Sequence, residues 1–114
     1  MQYEKLFSEG RIGSVRLKNR IVMPPMEVGM ANPDGTPSEQ LIAYYEERAR
    51  GGAGLIMTGI TRVNTRHGAT LPRQLAMNSD RHIKPFAQMV KRVHAHGAKI
   101  FCQLHHPGRQ GNSL

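Results

Sequence analysis

The feature that most constrains this chain is an apolar segment without alternation, Gly54-Leu55-Ile56-Met57-Thr58. A strand that is apolar at consecutive positions is covered on both faces, as in a parallel sheet flanked by helices. Further short strands are predicted at residues 20–23, where Pro24-Pro25 ends the run, and at residues 99–104. Because parallel strands need long crossovers, we expect a helix between each consecutive pair.

The first crossover carries the pattern Thr36-Pro37-Ser38-Glu39, which has the form of a capping box with Thr36 as the cap. Apolar residues then recur at helical spacing, and Gly51-Gly52 supplies a stop. The pattern therefore predicts a helix over residues 37–50.

The second crossover begins with a long loop over residues 60–79, followed by a helix that is capped by Asp80 or Lys84 and ended by Gly97. The apolar residues of this helix predict one buried face, made of Ile83, Phe86, Ala87, Val90 and Val93.

The predicted order is βαβαβ, preceded by a hairpin over residues 10–17. This order fits either an open doubly wound sheet or part of a (β/α)8 barrel. The loops after strands are long and the loops after helices are short, which favours the barrel because its functional loops follow the strands. A dinucleotide-binding sheet needs a G-x-G-x-x-G turn directly after its first strand, but Gly51, Gly52 and Gly54 come after a helix.

Composition narrows the class of protein further. The 114 residues make one domain at most, and a single cysteine excludes an internal disulfide. Met1 is followed by polar residues, and no apolar run reaches the roughly 20 residues that cross a bilayer. We expect a reducing, cytoplasmic setting and no membrane partner.

The formal net charge of +8 permits an acidic partner. The basic residues of the second loop and helix are Arg62, Arg66, Arg73, Arg81, Lys84, Lys91 and Arg92. No stacking motif accompanies them, so we expect no nucleic-acid partner and interpret them as a solvated face or as an attraction for NADH or a CoA ester. The alternative from another class is a small basic binding module for nucleic acid or an acidic protein, without catalysis.

Three segments carry a family resemblance: residues 17–26 (LKNRIVMPPM), residues 54–56 (GLI) and residues 103–109 (QLHHPGR). Together they resemble the old yellow enzyme family of NADH:flavin oxidoreductases, and most of all its 2,4-dienoyl-CoA reductase and 2-enoate reductase branch. The resemblance implies a TIM (β/α)8 barrel with non-covalent FMN across the C-terminal mouth. It implies that residues 1–114 are the truncated N-terminal portion of a single FMN-binding barrel domain, about three βα units with an N-terminal hairpin.

The resemblance also implies an ene-reductase activity of the full-length protein. NAD(P)H would reduce FMN, and the flavin would pass a hydride to an α,β-unsaturated carbonyl or to an enoyl or dienoyl thioester. The groups that polarise and protonate the substrate belong to later strands, so we expect no catalytic residue here and an inactive chain. FAD and an iron–sulfur cluster are expected only in missing domains, and a homo-oligomer or a complementary chain would cover the open strand edges.

The resemblance places flavin contacts where the three strands end. Pro25 and Met26 follow the first strand beside the ring, and Met26 offers a polarizable thioether. Gln103 lies on the third strand, where its carboxamide can donate and accept at the pyrimidine edge of a flavin. From its pattern alone, a buried glutamine bonded to neighbouring backbone is an equal alternative.

Three further positions match the family's flavin contacts at the ends of these strands, which we call the rim. Gly59 and Ile60 correspond to places where backbone approaches the flavin; Gly59 suits a close approach, whereas Ile60 is bulkier than the usual residue and has strand-end packing as its alternative. Glu27 stands where relatives often place a Cys, Thr or His that tunes the flavin. A carboxylate there would disfavour an anionic reduced flavin, and the alternative is a solvated loop residue.

The loop after the third strand contains His105, His106 and Arg109, to which the resemblance gives an organising rather than a catalytic role. A zinc site built from Cys102 and these histidines lacks a recognised ligand spacing. We therefore predict no metal site.

Overall fold

The computed structural model of the chain describes residues 2–112. Its helices and strands follow in the order α1 (Glu4–Phe7), β1 (Gly10–Ile12), β2 (Val15–Leu17), β3 (Val22–Met23), α2 (Glu39–Arg50), β4 (Leu55–Arg62), β5 (Leu75–Ala76), α3 (Ile83–His94) and β6 (Lys99–His105). Two short 3₁₀ turns lie at Asp80–His82 and Gly108–Gln110. No helix in this part of the chain has the length and apolar character that crossing a membrane requires.

The sheet is built around β4, and every strand in it runs parallel to β4. Strand β6 pairs with β4 along its length, whereas β3 pairs with the start of β4 at Leu55 and β5 pairs with its end at Thr61. Strands β1 and β2 form a separate antiparallel hairpin whose turn uses Gly13 at a φ of 57°. The predicted hairpin, the parallel pairing and the βαβαβ order are confirmed.

One face of the sheet is covered by α2 and α3. The core consists of Ala31, Leu41, Ile42, Tyr45, Ala49, Ile56, Leu75, Phe86, Met89, Val93 and Ala98. The opposite face carries Met57 and Phe101, which are only half-buried, and the exposed Gln103. The helix-covered face thus holds the sheet together, and the other face is open.

The side chain of Asn19 connects the segments before β3 and β4 through hydrogen bonds. Its side-chain nitrogen donates to the carbonyl of Gly52 (2.7 Å), and its side-chain oxygen accepts from the backbone N–H of Ile21 (3.1 Å). A Cβ on Gly54 would lie 2.3 Å from that oxygen, so only glycine fits at this point.

The structure corrects the predicted start of α2. The helix begins at Glu39, and its cap is Ser38, whose hydroxyl accepts from the N–H of Leu41 (3.0 Å). The hydroxyl of Thr36 is engaged instead by Asp34 and Asn32 in the preceding turn. Because its hydroxyl is engaged in that turn, Thr36 does not cap the helix, although Thr36 and Ser38 are both residue types that favour the cap position.

The strand bounds also differ from the prediction. Strand β3 covers only Val22–Met23, because Asn19 holds the residues before it in a turn. Strand β4 continues to Arg62, and the predicted loop over residues 60–79 contains the short strand β5. The end of β4, at Thr61 and Arg62, pairs with β5 on one side and with the end of β6 on the other.

The buried face of α3 is rotated from the predicted one. Phe86, Met89 and Val93 are buried, whereas Ile83 is 63% exposed. Helix α2 lies against α3, and Arg92 of α3 binds both Glu39 and Glu46 of α2. This pairing turns Met89 inward and leaves Ile83 at the edge of the helix pair.

Candidate functional site

The end of β4 lies directly against the segment that follows β3. A Cβ built on Gly59 would lie 2.7 Å from the carbonyl oxygen of Met26 and 3.1 Å from a carboxylate oxygen of Glu27. Any side chain at this position would force the two segments apart. The sequence predicts that a flavin approaches Gly59 closely. In the structure, the backbone of Met26 approaches Gly59 closely.

Gly59 lies in a β-bulge of β4, at the point where β4 pairs with β6. Met57 is in register with Phe101 and Ile60 with Gln103, so β4 contains one residue more than β6 between these pairs. The hydroxyl of Thr58 accepts the backbone N–H of Gln103 (3.1 Å) within the bulge. The extra residue puts Ile60 on the same side of the sheet as Met57, which strict alternation would not do.

Tyr45 of α2 hydrogen-bonds to the bulge from the helix-covered face of the sheet. It is 1% exposed, and its hydroxyl oxygen accepts the backbone N–H of Gly59 (2.8 Å). Burial raises the pKa of Tyr45 to about 12, so the phenol stays neutral at physiological pH. A helix in the core thus fixes the end of a strand at the rim.

A cavity of about 240 Å³ opens on this rim, lined by Pro25, Met57, Phe101, Cys102 and Gln103. Gln103 is exposed, and its carboxamide makes no hydrogen bond to any residue from 2 to 112. The alternative of a buried glutamine bonded to backbone is wrong, because the side chain projects from the open face of the sheet. An apolar surface with a free donor and acceptor at its edge suits a flat heterocyclic ring.

The remaining predicted positions lie at the same end of the sheet as this cavity. Met26 is 48% exposed, and Ile60 is half-buried beside Gln103. Glu27 is exposed, and its carboxylate accepts the N–H of Gly29 (2.7 Å), which holds it within its own loop. All six positions predicted from the sequence therefore lie at one end of the sheet.

In the loop after β6, His106 makes contacts with its own loop and with the loop after β4. The ring nitrogen Nδ1 of His106 accepts the N–H of Gly108 (3.1 Å), and a Cβ on Gly68 would lie 3.2 Å from the ring. His106 thus packs this loop against the loop after β4. Across the described part of the chain, no group of three or more His, Cys, Asp or Glu residues is placed to hold a metal ion.

The family model described as NADH:flavin oxidoreductase / NADH oxidase matches residues 5–113. The chain belongs to this family. An NADH oxidase of Thermoanaerobacter brockii is 48% identical over 95% of the chain, and a cinnamate reductase of Clostridium sporogenes is 45% identical over 90% of it. The old yellow enzyme of Trypanosoma cruzi superposes on 97% of the chain with a TM-score of 0.86 and 34% identity.

The chain spans 17% and 16% of the length of the two curated relatives and 29% of the old yellow enzyme chain. The resemblance to the old yellow enzymes and the assignment of the fold are thereby confirmed. The parallel strands and helices are the first part of a TIM barrel, and the open face of the sheet corresponds to the barrel interior.

Sequence reasoning missed three residues at this end of the sheet. Helical spacing predicts only that Tyr45 belongs to the apolar face of its helix, and the strand pattern predicts only that Thr58 ends a strand. The sequence predicts Arg62 to lie on a solvated face or to attract NADH or a CoA ester, but the side chain is buried, with 1% exposed. A glycine inside a strand pattern is the one signal that indicates the bulge, because it often marks an extra residue.

Proposed function

We propose that this chain forms one side of the FMN site of an ene-reductase-type flavin oxidoreductase. The observation that carries the proposal is the convergence of Met26, Gly59 and Gln103 at one rim, with the free carboxamide of Gln103 above an apolar surface. Residues 1–114 would be the N-terminal portion of a single FMN-binding TIM-barrel domain. The basic-module alternative receives no comparable support from the geometry.

The residues present fit a flavin ring. Pro25, Met57 and Phe101 offer the apolar surface, and Gln103 offers the donor and acceptor that the pyrimidine edge needs. A neutral donor at this edge stabilises negative charge that develops on reduction. Met26, Glu27, Gly59 and Ile60 would complete the rim. When bound, FMN supplies hydride transfer from NAD(P)H to a substrate.

The proposed substrates of the whole protein are α,β-unsaturated carbonyl compounds, including enoyl or dienoyl thioesters. The relative from Clostridium sporogenes is named a cinnamate reductase, and cinnamate is such a compound. No residue of this chain is proposed as catalytic, and FAD or an iron–sulfur cluster would belong to further domains. We propose a cytoplasmic location for the whole protein.

A chimera tests this proposal. The chain would replace the 108 matching residues of the Thermoanaerobacter brockii NADH oxidase, which supplies the rest of the protein. We expect the purified chimera to hold FMN, and Gln103→Ala to weaken FMN binding about tenfold, the value of one hydrogen bond. Gln110→Ala, which changes an exposed glutamine in the following turn, is the matched control.

The measurements are FMN affinity by fluorescence quenching and the shape of the flavin absorption bands. Equal affinities and spectra in the two variants would contradict the proposed role of Gln103. The isolated chain is expected to retain no FMN and to reduce no enoate, because it offers only part of the site. Stoichiometric FMN in the isolated chain would overturn this expectation.

A further inference from the structure

Arg62, the last residue of β4, is a buried cation without an acidic partner. Its guanidinium donates to the carbonyl oxygen of Gln74 (3.0 Å) and to the hydroxyl of Thr65 (3.3 Å). Both acceptors are neutral, and Arg62 forms no ion pair with any residue from 2 to 112. Its positive charge is therefore uncompensated within contact distance.

An unpaired buried charge is costly, because its loss of hydration amounts to several kcal/mol even after relaxation. Burial is the main cause that lowers the pKa of Arg62, and Arg81 acts in the same direction. Asp34 opposes this shift from a distance but does not contact the guanidinium. Arginine nevertheless stays protonated in proteins, so the site keeps its positive charge.

Three buried polar atoms without partners belong to residues that neighbour Arg62 in the fold: Nε2 of Gln74, Oγ1 of Thr70 and Nδ1 of His105. They belong to one cluster, since the side-chain oxygen of Gln74 accepts the N–H of Thr70 (2.8 Å), and His105 is in register with Arg62. The amide of Gln74 and the hydroxyl of Thr70 can donate, and so can His105 in one tautomer. Buried polar atoms normally have a partner, so these atoms indicate a missing acceptor.

We propose that Arg62, Gln74, Thr70 and His105 form a binding site for an oxyanion, meaning a carboxylate or a phosphate group. A metal cation would be repelled by Arg62, and a water molecule would satisfy the donors but leave the charge uncompensated. The polar atoms are sealed from solvent, so the site takes one anionic group rather than a ring. This inference does not depend on the flavin proposal, because the flavin-facing residues are not part of it.

The test uses the whole chain and two probes, inorganic phosphate and acetate, each titrated against chloride at constant ionic strength. We expect a saturable shift of the Arg62 side-chain Nε–H resonance and a rise in melting temperature with one of the probes, because a ligand of the folded state stabilises it. Arg66→Gln is the matched control, since it removes an exposed arginine from the same loop and the same unit of net charge. The Arg66→Gln protein should keep both responses, and Arg62→Gln, which has no such resonance, should lose the rise in melting temperature.

A second variant, Gln74→Glu, keeps the result interpretable if Arg62→Gln fails to fold. It places a carboxylate of nearly the same shape in the cluster, so we expect a higher melting temperature without probe and loss of the response to either probe. A wild-type response that is absent or not saturable would overturn the proposal. An undiminished response in the Gln74→Glu protein, or an equal loss in Arg66→Gln, would also overturn it.

Discussion

At the scale of single residues, the rim depends on atoms that lie far from it in the sequence. The hydroxyl of Tyr45 on α2 holds the N–H of Gly59, and Gly59 in turn has no room for a side chain against Met26. The helical spacing places Tyr45 in the core, but its hydrogen bond could not be predicted from the sequence. The partner becomes available only because the bulge turns the N–H of Gly59 toward the helix.

Replacing Tyr45 with phenylalanine should therefore destabilise the chain. The change leaves the N–H of Gly59 buried without a partner, which costs about 1–3 kcal/mol in the free energy of unfolding. Urea unfolding measures the loss, and hydrogen exchange should show faster exchange of the Gly59 amide. Tyr44→Phe is the control, because Tyr44 is half-buried and uses its ring, not a hydroxyl bond, against Arg48. An equal effect of the two changes would contradict this account.

Gly59→Ala tests the contact with the segment after β3. The added methyl would meet the Met26 carbonyl at 2.7 Å, so we expect a loss of about 1–3 kcal/mol from overpacking. Gly51→Ala should be tolerated, since its φ is −68° and its nearest contact would be 3.4 Å. Chemical denaturation of both variants measures the difference, and a harmless Gly59→Ala would show that the two segments separate easily.

At the scale of elements, the helices show where sequence patterns are sufficient and where they are not. The existence of α2 and α3, and the turn at Gly97 (φ of 77°) that follows the end of α3 at His94, follow from spacing and glycine chemistry. The start of α2 does not, because Thr36 and Ser38 satisfy the same rule and only the turn around Asp34 decides between them. The residue pattern of a helix does not show whether a neighbouring turn will engage the same capping side chain.

Ser38→Ala should reveal the true cap of α2. Loss of the hydroxyl that accepts from Leu41 should cost about 1 kcal/mol of folding stability. Ser14→Ala, an exposed serine in the hairpin turn, is the control and should change little. Urea midpoints of the two variants provide the measurement, and an unchanged Ser38→Ala midpoint would mean that the cap contributes nothing.

The contact between α2 and α3 should make stability depend on pH. Hydrogen bonds from Arg92 and then His96 hold the pKa of Glu46 below its usual 4.5. The carboxylate form is favoured by folding, so its contribution is present above the unfolded pKa and is lost as pH falls through the folded one. The urea midpoint should fall from pH ~6 to pH ~3, less steeply for Glu46→Gln than for the control Glu47→Gln. Equal slopes in both variants would contradict a role for Glu46.

At the scale of the whole molecule, the chain exposes surfaces that a closed barrel would cover. Strand β6 pairs only with β4 among the described strands, Leu104 on β6 is 62% exposed, and a groove of about 360 Å³ runs beside α3 past Ile83. The sequence predicted these open edges, because parallel order and family resemblance both implied missing strands. It did not predict which side of α3 would be open, since that depends on how α3 meets α2.

The isolated chain should therefore associate with itself as its concentration rises. Sedimentation velocity across a hundredfold concentration range measures this. Leu104→Lys should reduce the association, because a lysine on an edge strand opposes pairing. Lys99→Arg keeps the charge at the other end of β6 and serves as the control. A wild-type chain that stays monomeric throughout would contradict the expectation.

The extra residue at Thr58 and Gly59 has a consequence for protein engineering. Strand β4 uses eight residues where β6 uses seven, so a designer who copies this strand into another barrel must copy the surplus too. Forcing the same eight residues into a regular strand would send every side chain after the bulge, Arg62 included, to the other surface of the wall.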